Sequence, residues 1–186
     1  AWSGRGYALA NLAILVIPAP PLMPRPLAGV RASAMLEVRE AQSEEVANVE
    51  RFYQDVGYSG GFNPSDRLVI AEANSALVGL HRICDEQGVL VLRGMRVREE
   101  HQRQGIGTAM LELAKALVGD RACYCIPYRH LSSFYARVGF KEIGTDQAPE
   151  FLKHRFDRYR NFLDLDVIIM RLDDGSSAAS QESGAR

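Results

Sequence analysis

The sequence of 186 residues has no excess of either charge and few cysteines, and both deficits exclude classes of function. It contains 22 Lys and Arg against 23 Asp and Glu, a formal net charge of −1, so we expect no bulk attraction to nucleic acid or to a membrane surface. Cys84, Cys123 and Cys125 lack the spacing of metal ligands, and the last two share one face of a predicted strand, where disulfides are rare. This composition predicts reduced thiols, no metal site and a cytoplasmic protein.

Long apolar runs are also lacking, because a membrane-spanning helix needs roughly 20 such residues. The run Leu9–Ile17 is shorter and is followed by a group of prolines. Arg5 before the run and the small residues Ala32-Ser33-Ala34 after it are compatible with a secretory signal peptide. We favour a different interpretation, in which Met35 starts the functional domain and residues 1–34 are an extension outside the fold.

Periodicity and turn residues predict an α/β domain over residues 35–173, followed by a small, polar, disordered tail over 174–186. Ser43 is predicted to cap the first helix, and the residues 57–66 form a glycine-rich loop that could act as a mobile lid. The fold class is a central mixed, twisted sheet with helices on both faces. In chain order the predicted elements are strand 35–40, helix 43–56, strands 67–73, 76–83 and 89–97, helix 108–118, strand 122–126, helix 131–138, strand 141–143, helix 149–162 and strand 165–172.

The most informative segment is the loop Gln102-x-x-Gly105-x-Gly107, which connects an apolar strand to an amphipathic helix. The first backbone N–H groups of a helix have no partners within it, and two glycines keep side chains away from them. A diphosphate could therefore bind there, at the positive end of the helix dipole. A dinucleotide loop would need a third glycine where Met110 stands, and a Gly-Lys-Ser/Thr loop occurs nowhere in the chain. A tight turn without a ligand is the alternative interpretation.

A second motif follows in residues 131–140, where Phe134 and Tyr135 precede Gly139 and Phe140 on a predicted helix. Together the two motifs resemble the signatures of the GNAT superfamily of N-acetyltransferases. The predicted order of strands and helices is also similar to that of the GNAT acyl-CoA N-acyltransferase fold. The resemblance covers residues 35–173, nearly the whole predicted domain.

The resemblance implies transfer of an acetyl group from acetyl-CoA (coenzyme A) to a primary amine, by direct attack in a ternary complex and without a metal. It makes Tyr135 the general acid that protonates the departing thiolate; the alternative is a tyrosine that only packs between helix and sheet. Backbone groups near Met95 and Val97 would bind the pantetheine arm, and the glycine loop the diphosphate. The residues expected at the cofactor are Met95, Arg96, Val97, Gln102, Arg103, Gln104, Gly105, Ile106, Gly107 and Thr108.

Three options stay open for the general base. Many family members carry a glutamate in the strand before the loop, but here residues 89–97 contain no acid. Glu72 and His81 on the neighbouring strands are candidates, and proton transfer to water is a third option. The chain also has Tyr128 and Leu131 where the family often has asparagine and alanine, which affects the expected contacts to adenine.

The acceptor is expected to be a small-molecule amine. Arg93 and Arg96 could bind an acidic group, but the strand period places them on opposite faces, so both are not expected to reach it. A basic helix could favour an anionic amine, or it could simply face solvent; its cations are Lys153, His154, Arg155, Arg158 and Arg160.

The loop 57–66, with Tyr58 and Phe62, would form the opposite wall of the acceptor site. Two other functions stay open, acetylation of a protein amine and a non-catalytic acyl-CoA-binding module. Dimerisation is frequent in the family, although nothing in this sequence indicates it.

Overall fold

The structure, a computed structural model, describes residues 35–173, and its centre is a seven-stranded sheet. The strands are β1 Leu36–Glu40, β2 Arg67–Ala73, β3 Ala76–Glu86, β4 Val89–Val97, β5 Cys123–Cys125, β6 Lys141–Ile143 and β7 Ile169–Leu172. They lie in the order β1-β2-β3-β4-β5-β7-β6. Neighbouring strands are antiparallel except β4 and β5, which are parallel. The predicted mixed sheet is confirmed.

Four α-helices accompany the sheet, and short 3-10 turns precede each of them. The helices are α1 Val46–Asp55, α2 Ile106–Val118, α3 Ser132–Ala136 and α4 Glu150–Asn161. The 3-10 turns are Ser43–Glu45, Glu99–His101, Arg129–Leu131 and Thr145–Gln147. None of the helices in the described residues is long and apolar enough to cross a membrane.

The alternation of side chains along the strands assigns the helices to the two faces of the sheet. In β2, Val69 and Ala71 pack in the core beneath α2, whereas Leu68 and Ile70 pack against α1. In β4, Val91 packs with Leu152 of α4. The sheet therefore has an α2 face and an opposite face that carries α1 and α4, as the sequence predicted.

The first helix begins differently from the prediction, because Ser43 is not its cap. The chain enters a 3-10 turn at Ser43, and Gln42 is the residue before it. The backbone N–H of Gln42 donates to Glu45 Oε2 at 2.7 Å. Glu45 thus satisfies the free N–H from within the turn, and the carboxylate is held there by Arg39, whose Nη2 lies 2.7 Å from Glu45 Oε1.

Strand β3 is longer than predicted and runs to Glu86. The hairpin turn that follows consists of Gln87 and Gly88, both with positive φ (56° and 80°), a conformation that suits a two-residue hairpin. Strand β7 is shorter than predicted; before it, a single bridge joins Tyr128 and Val167. The expectations for residues 1–34 and 174–186 lie outside the described residues.

Candidate active site

The parallel pair β4 and β5 separates after two residues and leaves a cleft in the sheet. The ladder joins Leu90 to Cys123 and Val91 to Tyr124 and ends there, while β4 continues to Val97. The edge of β4 beyond Val91 therefore has no β5 partner within the described part of the chain. Backbone N–H and C=O groups must find partners when they are buried, so this edge is suited to bind an extended polar ligand.

A β-bulge lies in the same part of β4. Gly94 has a φ of +64°, and the pairing with β3 shifts there, so that Arg82 faces Arg93 but Leu80 faces Arg96. The buried hydroxyl of Tyr53, on α1, donates to the carbonyl oxygen of Gly94 at 2.9 Å. A Cβ atom at Gly94 would lie 2.5 Å from the same hydroxyl oxygen. Glycine is required here by both the backbone conformation and the close approach of Tyr53.

The loop after β4 is held by hydrogen bonds of its own side chains. Gln102 Nε2 donates to the carbonyl oxygen of Val97, and Gln104 Nε2 donates to that of Glu100, each at 3.0 Å. The amide nitrogen of Gln102 is thus used to shape the loop. Arg103, which adopts a φ of +59°, is exposed and makes no ion pair within residues 35–173.

The loop ends at the open N-terminus of α2. Gly105 precedes the helix with a φ of +84°, and no side chain caps it. The first helical hydrogen bond runs from Ala109 N to Gly105 O at 3.0 Å. The N–H groups of Ile106, Gly107 and Thr108 therefore have no acceptor within the helix and are directed out of its end. This geometry suits an anion such as a diphosphate.

Tyr135 lies close to this helix in the core of the α2 face. It is 8% exposed, and its ring meets those of Phe134 and Phe140 edge-on, with centroids 5.2 and 5.9 Å apart. Burial raises the pKa of the Tyr135 hydroxyl, as does Cys125, whereas the positive charge of Arg96 lowers it. The hydroxyl is therefore protonated at neutral pH and can donate a proton or a hydrogen bond.

The two candidate bases from the sequence lie in different surroundings, one in the buried core and the other at an open groove. His81 is completely buried on the α2 face, and neither ring nitrogen has a hydrogen-bond partner. Burial, with a smaller contribution from Arg82, lowers the pKa of His81 to about 3, so the ring is neutral at pH 7. A general base for an amine that arrives from solvent must be reachable, and His81 is not. Its burial gives no support to His81 as the base, and that role stays a prediction.

Glu72 belongs to a different part of the molecule. Its carboxylate accepts a hydrogen bond from Arg39 Nη2 at 2.7 Å and lines an open groove of about 480 Å³ between α1 and the ends of β2 and β3. In the sheet, β3 separates its strand from β4 and the cleft. The geometry therefore gives no support to Glu72 as the base.

The bulge also corrects the expectation for Arg93 and Arg96. Without a bulge, residues three apart in a strand would point to opposite faces. The inserted residue changes this alternation, so that both side chains lie on the face that carries α1 and α4. Arg93 contacts Glu86 at 3.0 Å. Arg96 lies over the ring of Tyr58, 4.8 Å from the ring centroid. Sequence reasoning could not find this, because a glycine inside an apolar strand does not identify a bulge.

The loop 57–66 is anchored to the sheet by a buried arginine that sequence reasoning missed. The side chain of Arg82, 2% exposed, donates to Gly61 O at 2.7 Å and to Asp66 Oδ2 and Tyr58 Oη at 3.0 Å each. These bonds tie both ends of the loop to β3. The available signal was an arginine within the continuous apolar run of that strand. The loop forms a wall beside the cleft, and its expected mobility is not supported by these contacts.

The basic helix α4 directs only part of its charge to the sheet. Arg155 donates to Glu86, whereas Lys153 and His154 lie near Glu150 on the same helix, at 3.1 and 3.5 Å. Its remaining cations, Arg158 and Arg160, lie over aromatic rings of the helix itself. Most of this predicted basic wall thus faces solvent.

The three cysteines are buried free thiols, as the sequence predicted. Burial raises the pKa of Cys84 and Cys123 to about 12 and that of Cys125 as well. These thiols are protonated at neutral pH and are poor nucleophiles.

Residues 64–142 match the family model described as "Acetyltransferase (GNAT) domain". This segment of the chain is therefore similar to a GNAT acetyltransferase domain. The matched segment contains β4 and β5, the glycine loop that follows β4, the helix α2 and Tyr135. No curated protein sequence matches the chain significantly.

Several solved structures of enzymes that have CoA or an acetyltransferase activity in their names are similar to this chain in fold. N-acetylglutamate synthase from Neisseria gonorrhoeae, complexed with coenzyme A and N-acetyl-glutamate, is 18% identical, with a TM-score of 0.53 over 75% of this chain and 35% of that one. The ribosomal-protein-S18-alanine N-acetyltransferase from Escherichia coli is 16% identical, with a TM-score of 0.54 over 74% of this chain and 93% of that one. Diaminobutyrate acetyltransferase from Paenibacillus lautus, in complex with L-2,4-diaminobutyric acid and coenzyme A, is 19% identical, with a TM-score of 0.52 over 76% of this chain and 96% of that one.

At these identities the likeness establishes the fold. This chain spans about a third of the length of the Neisseria enzyme. The three structures also differ in what they are said to act on, since one acetylates a ribosomal protein and another diaminobutyrate. The acceptor of this chain must therefore be argued from its own residues.

Proposed function

We propose that this protein transfers an acetyl group from acetyl-CoA to a primary amine of a small molecule, by direct attack in a ternary complex. The observation that carries the proposal is the separation of β4 from β5 directly beside the open N-terminus of α2. An extended thioester can bind along the free edge of β4 while its diphosphate lies at the helix end. Tyr135 lies in the same core region.

In this proposal the backbone of the loop binds coenzyme A. The unpaired N–H groups at the start of α2 receive the diphosphate, with Arg103 as a further cation nearby. Gly107 has no side chain in the way of that anion, and a Cβ atom there would already lie 3.3 Å from Phe134. The pantetheine amides bind the backbone of Met95 and Val97 along the free edge.

The chemistry requires a neutral amine, attack on the thioester carbonyl and protonation of the leaving thiolate. The nitrogen forms a bond to the carbonyl carbon, and the bond from that carbon to sulfur breaks. Tyr135 gives its hydroxyl proton to the thiolate and regains one from solvent. β4 contains no acidic residue, His81 is completely buried, and Glu72 is bonded to Arg39, which supports loss of the amine proton to water.

The alternatives are a protein amine as acceptor and a non-catalytic module that binds acyl-CoA. Arginines beside the cleft favour a small acidic molecule over a protein segment, and a protonated hydroxyl close to the proposed thioester favours turnover over binding alone. A cytoplasmic location and a homodimer stay predictions.

The proposal can be tested with the full chain in two steps. Acetyl-CoA at 100 times its dissociation constant should stabilise the protein by about 2.7 kcal/mol, which a thermal shift detects. Release of free thiol should then accelerate when a panel of amines is added. Absence of a shift would contradict the cofactor site, whereas a shift without turnover on any amine would favour the binding module.

A further inference from the structure

The carbonyl group of the bulge glycine is held by a side chain from α1. Tyr53 is 4% exposed, and its hydroxyl donates to the carbonyl oxygen of Gly94 at 2.9 Å. Gly94 lies where the pairing between β3 and β4 shifts. A buried carbonyl group needs a hydrogen-bond partner, and here α1 supplies one. Tyr53 therefore sets the direction in which this carbonyl group points.

The same contact sets the direction of the next backbone N–H group. No peptide bond in the described residues is cis, and in a trans peptide the carbonyl and the N–H point in opposite directions. Since the carbonyl of Gly94 points to α1, the N–H of Met95 points away from that helix. The side chain of Met95 packs against the core of the α2 face, which includes Tyr135. The N–H is therefore directed towards the side of the sheet on which Tyr135 lies.

The hydroxyl of Tyr53 stays protonated at neutral and moderately alkaline pH. Burial raises the pKa of this group far above the value of free tyrosine, and the positive charge of Arg82 offsets only part of that effect. A protonated hydroxyl always has a hydrogen to donate to the carbonyl oxygen of Gly94. This hold on the bulge is therefore independent of pH in the range of an enzyme assay.

The ring of Tyr53 is confined, so its hydroxyl stays at the bulge. The ring of Tyr58 packs against it with centroids 4.4 Å apart, and the guanidinium carbon of Arg82 lies 5.7 Å from the centroid of each ring. Arg82 itself is paired with Asp66. A Cβ atom at Gly94 would lie 2.5 Å from the hydroxyl oxygen and 3.2 Å from Arg82 Nε. Two buried side chains thus support the bulge, and removal of the hydroxyl alone leaves the ring contacts in place.

We propose that Tyr53 is a positioning residue, which holds the carbonyl of Gly94 so that the N–H of Met95 is directed at the carbonyl oxygen of the bound thioester. The proposal rests on the acetyltransferase function proposed above and adds a residue to its machinery. The carbonyl oxygen of Met95, which also accepts a bond from Arg96, and the backbone of Val97 remain for the pantetheine amides.

The held N–H acts when the amine attacks. The amine nitrogen forms a bond to the thioester carbon, and one electron pair of the C=O double bond moves onto the oxygen. A donor that is already fixed in direction stabilises this negative charge without reorganisation. The double bond forms again as the bond to sulfur breaks; the amine proton passes to water, and the sulfur takes the proton of Tyr135. Without the Tyr53 hydroxyl the peptide can rotate, and the N–H is no longer held towards the oxygen.

The first test observes the Met95 amide in the wild-type protein by NMR. The chain has five methionines, so isotope-labelled methionine gives few amide signals, and Met95→Leu identifies the signal of residue 95. The two ligands are coenzyme A and acetyl-CoA, which differ only in the acetyl group. A hydrogen bond to the thioester carbonyl should move the Met95 amide proton downfield with acetyl-CoA but not with coenzyme A. An equal response to both ligands overturns the proposal.

The second test removes the hydroxyl and measures catalysis with the full chain. Tyr53→Phe should lower kcat by about 10- to 100-fold, because the donor is no longer fixed when charge develops on the oxygen. KM for acetyl-CoA should change by less than about twofold, because the contact acts in the transition state. Tyr124→Phe is the matched control, since Tyr124 is also buried but packs with Val91 and Leu152. Equal kcat values in the two variants, or a loss confined to KM, overturn the proposal.

A double variant shows whether Tyr53 acts through Gly94. The methyl group of Gly94→Ala would meet the hydroxyl oxygen of Tyr53, so the two substitutions disturb the same contact. Substitutions that share a contact have non-additive effects, and kcat of the double variant should lie within about threefold of the slower single variant. Losses that multiply would mean that the two residues act independently, which overturns the proposal.

The thermal shift with acetyl-CoA separates this proposal from the one on which it rests. If the wild-type protein shows neither a shift nor turnover of any amine, the acetyltransferase proposal fails and the role of Tyr53 fails with it. If the protein shows both, but the Met95 amide does not distinguish acetyl-CoA from coenzyme A, the acetyltransferase proposal stands and the role of Tyr53 is wrong. The ligand comparison needs only the wild-type chain once the signal is assigned, so it decides the question even if Tyr53→Phe does not fold.

Discussion

Tyr135 shows how the surroundings of one residue decide its chemistry. Three aromatic rings, including its own, exclude water from the hydroxyl and hold the ring in one orientation. Burial raises the pKa of this group, which makes it a weaker acid than free tyrosine. In the proposed mechanism the hydroxyl proton passes to the sulfur as the carbon–sulfur bond breaks, so that coenzyme A leaves as a neutral thiol.

Tyr135→Phe should therefore reduce turnover without weakening the cofactor. General acid catalysis typically contributes about 10²- to 10⁴-fold, so we expect kcat to fall by about 100-fold or more. The apparent affinity for acetyl-CoA, measured by thermal shift, should stay within about twofold. Tyr124→Phe is the matched control, because Tyr124 is equally buried but packs with Val91 and Leu152 on the opposite face of the sheet. Similar kcat values in both variants would exclude Tyr135 as the acid.

At the scale of elements, the proposed site depends on two irregularities, the bulge in β4 and the uncapped start of α2. Each depends on a glycine with positive φ, Gly94 in the strand and Gly105 before the helix. Regular structure would remove both features. Without the bulge, β4 would pair with β3 in one continuous register, and a side-chain cap would occupy some of the free N–H groups of α2. The irregularities thus provide the hydrogen-bond donors that the proposed thioester and diphosphate require.

Gly94→Ala should damage catalysis more than stability alone explains. The new methyl group meets the hydroxyl of Tyr53, so the bulge or α1 must move. Gly88→Ala is the control, because Gly88 also has a positive φ but has no atom within 4 Å of the added Cβ. Both variants should lose about 1 kcal/mol of stability from the backbone conformation. Only Gly94→Ala should lower kcat, by about tenfold or more, and equal kcat values would contradict a role for the bulge.

Gly107→Glu tests the proposed diphosphate site on α2. The carboxylate would lie at the free N–H groups and repel the anion, so we expect acetyl-CoA to produce no thermal shift. Gly107→Gln adds the same bulk against Phe134 without the charge. A partial thermal shift with acetyl-CoA in Gly107→Gln and no shift in Gly107→Glu would show that the negative charge causes the loss of binding. A full shift in Gly107→Glu would place the diphosphate elsewhere.

The element order and the site motifs could be predicted because each rests on local patterns. The β2–β3 hairpin at Asn74 and Ser75, the β4 strand and the α2 helix follow from periodicity and turn residues within a few positions. The features that the sequence did not predict depend on contacts between residues far apart in the chain. Arg96 shares a face with Arg93 only because of the bulge. His81 lies beneath α2 only because the strands pair in this register. No single segment of sequence contains that information.

For the whole molecule, His81 makes stability depend on pH in a range where most carboxylates are still ionised. The pKa of His81 is lowered to about 3 in the folded protein by burial, against 6.5 in the unfolded chain. Above pH 6.5 the residue is neutral in both states. Below pH 6.5 the unfolded chain binds a proton that the folded protein does not, so stability falls as pH decreases, by up to about 1.4 kcal/mol per pH unit.

Carboxylates affect the pH dependence of stability in a separate, lower pH range. Arg39 and the backbone of Gln42 lower the pKa of Glu45 to about 2, and Arg67 lowers the pKa of Glu40. Their stabilising effect is complete above the unfolded value of 4.5 and is lost as pH falls through the folded values. Between pH 6.5 and 4.5, the loss of stability should therefore depend mainly on His81.

His81→Leu should remove that loss. Neither ring nitrogen has a hydrogen-bond partner, so the substitution breaks no polar contact and leaves a side chain of similar size in an apolar core. We expect the variant to be at least as stable as wild type at pH 7.5, and its free energy of unfolding in urea to change much less between pH 6.5 and 4.5. An equally steep decline in both proteins would mean that another group binds the proton. A large loss of stability at pH 7.5 would mean that the imidazole makes a contact essential to the fold.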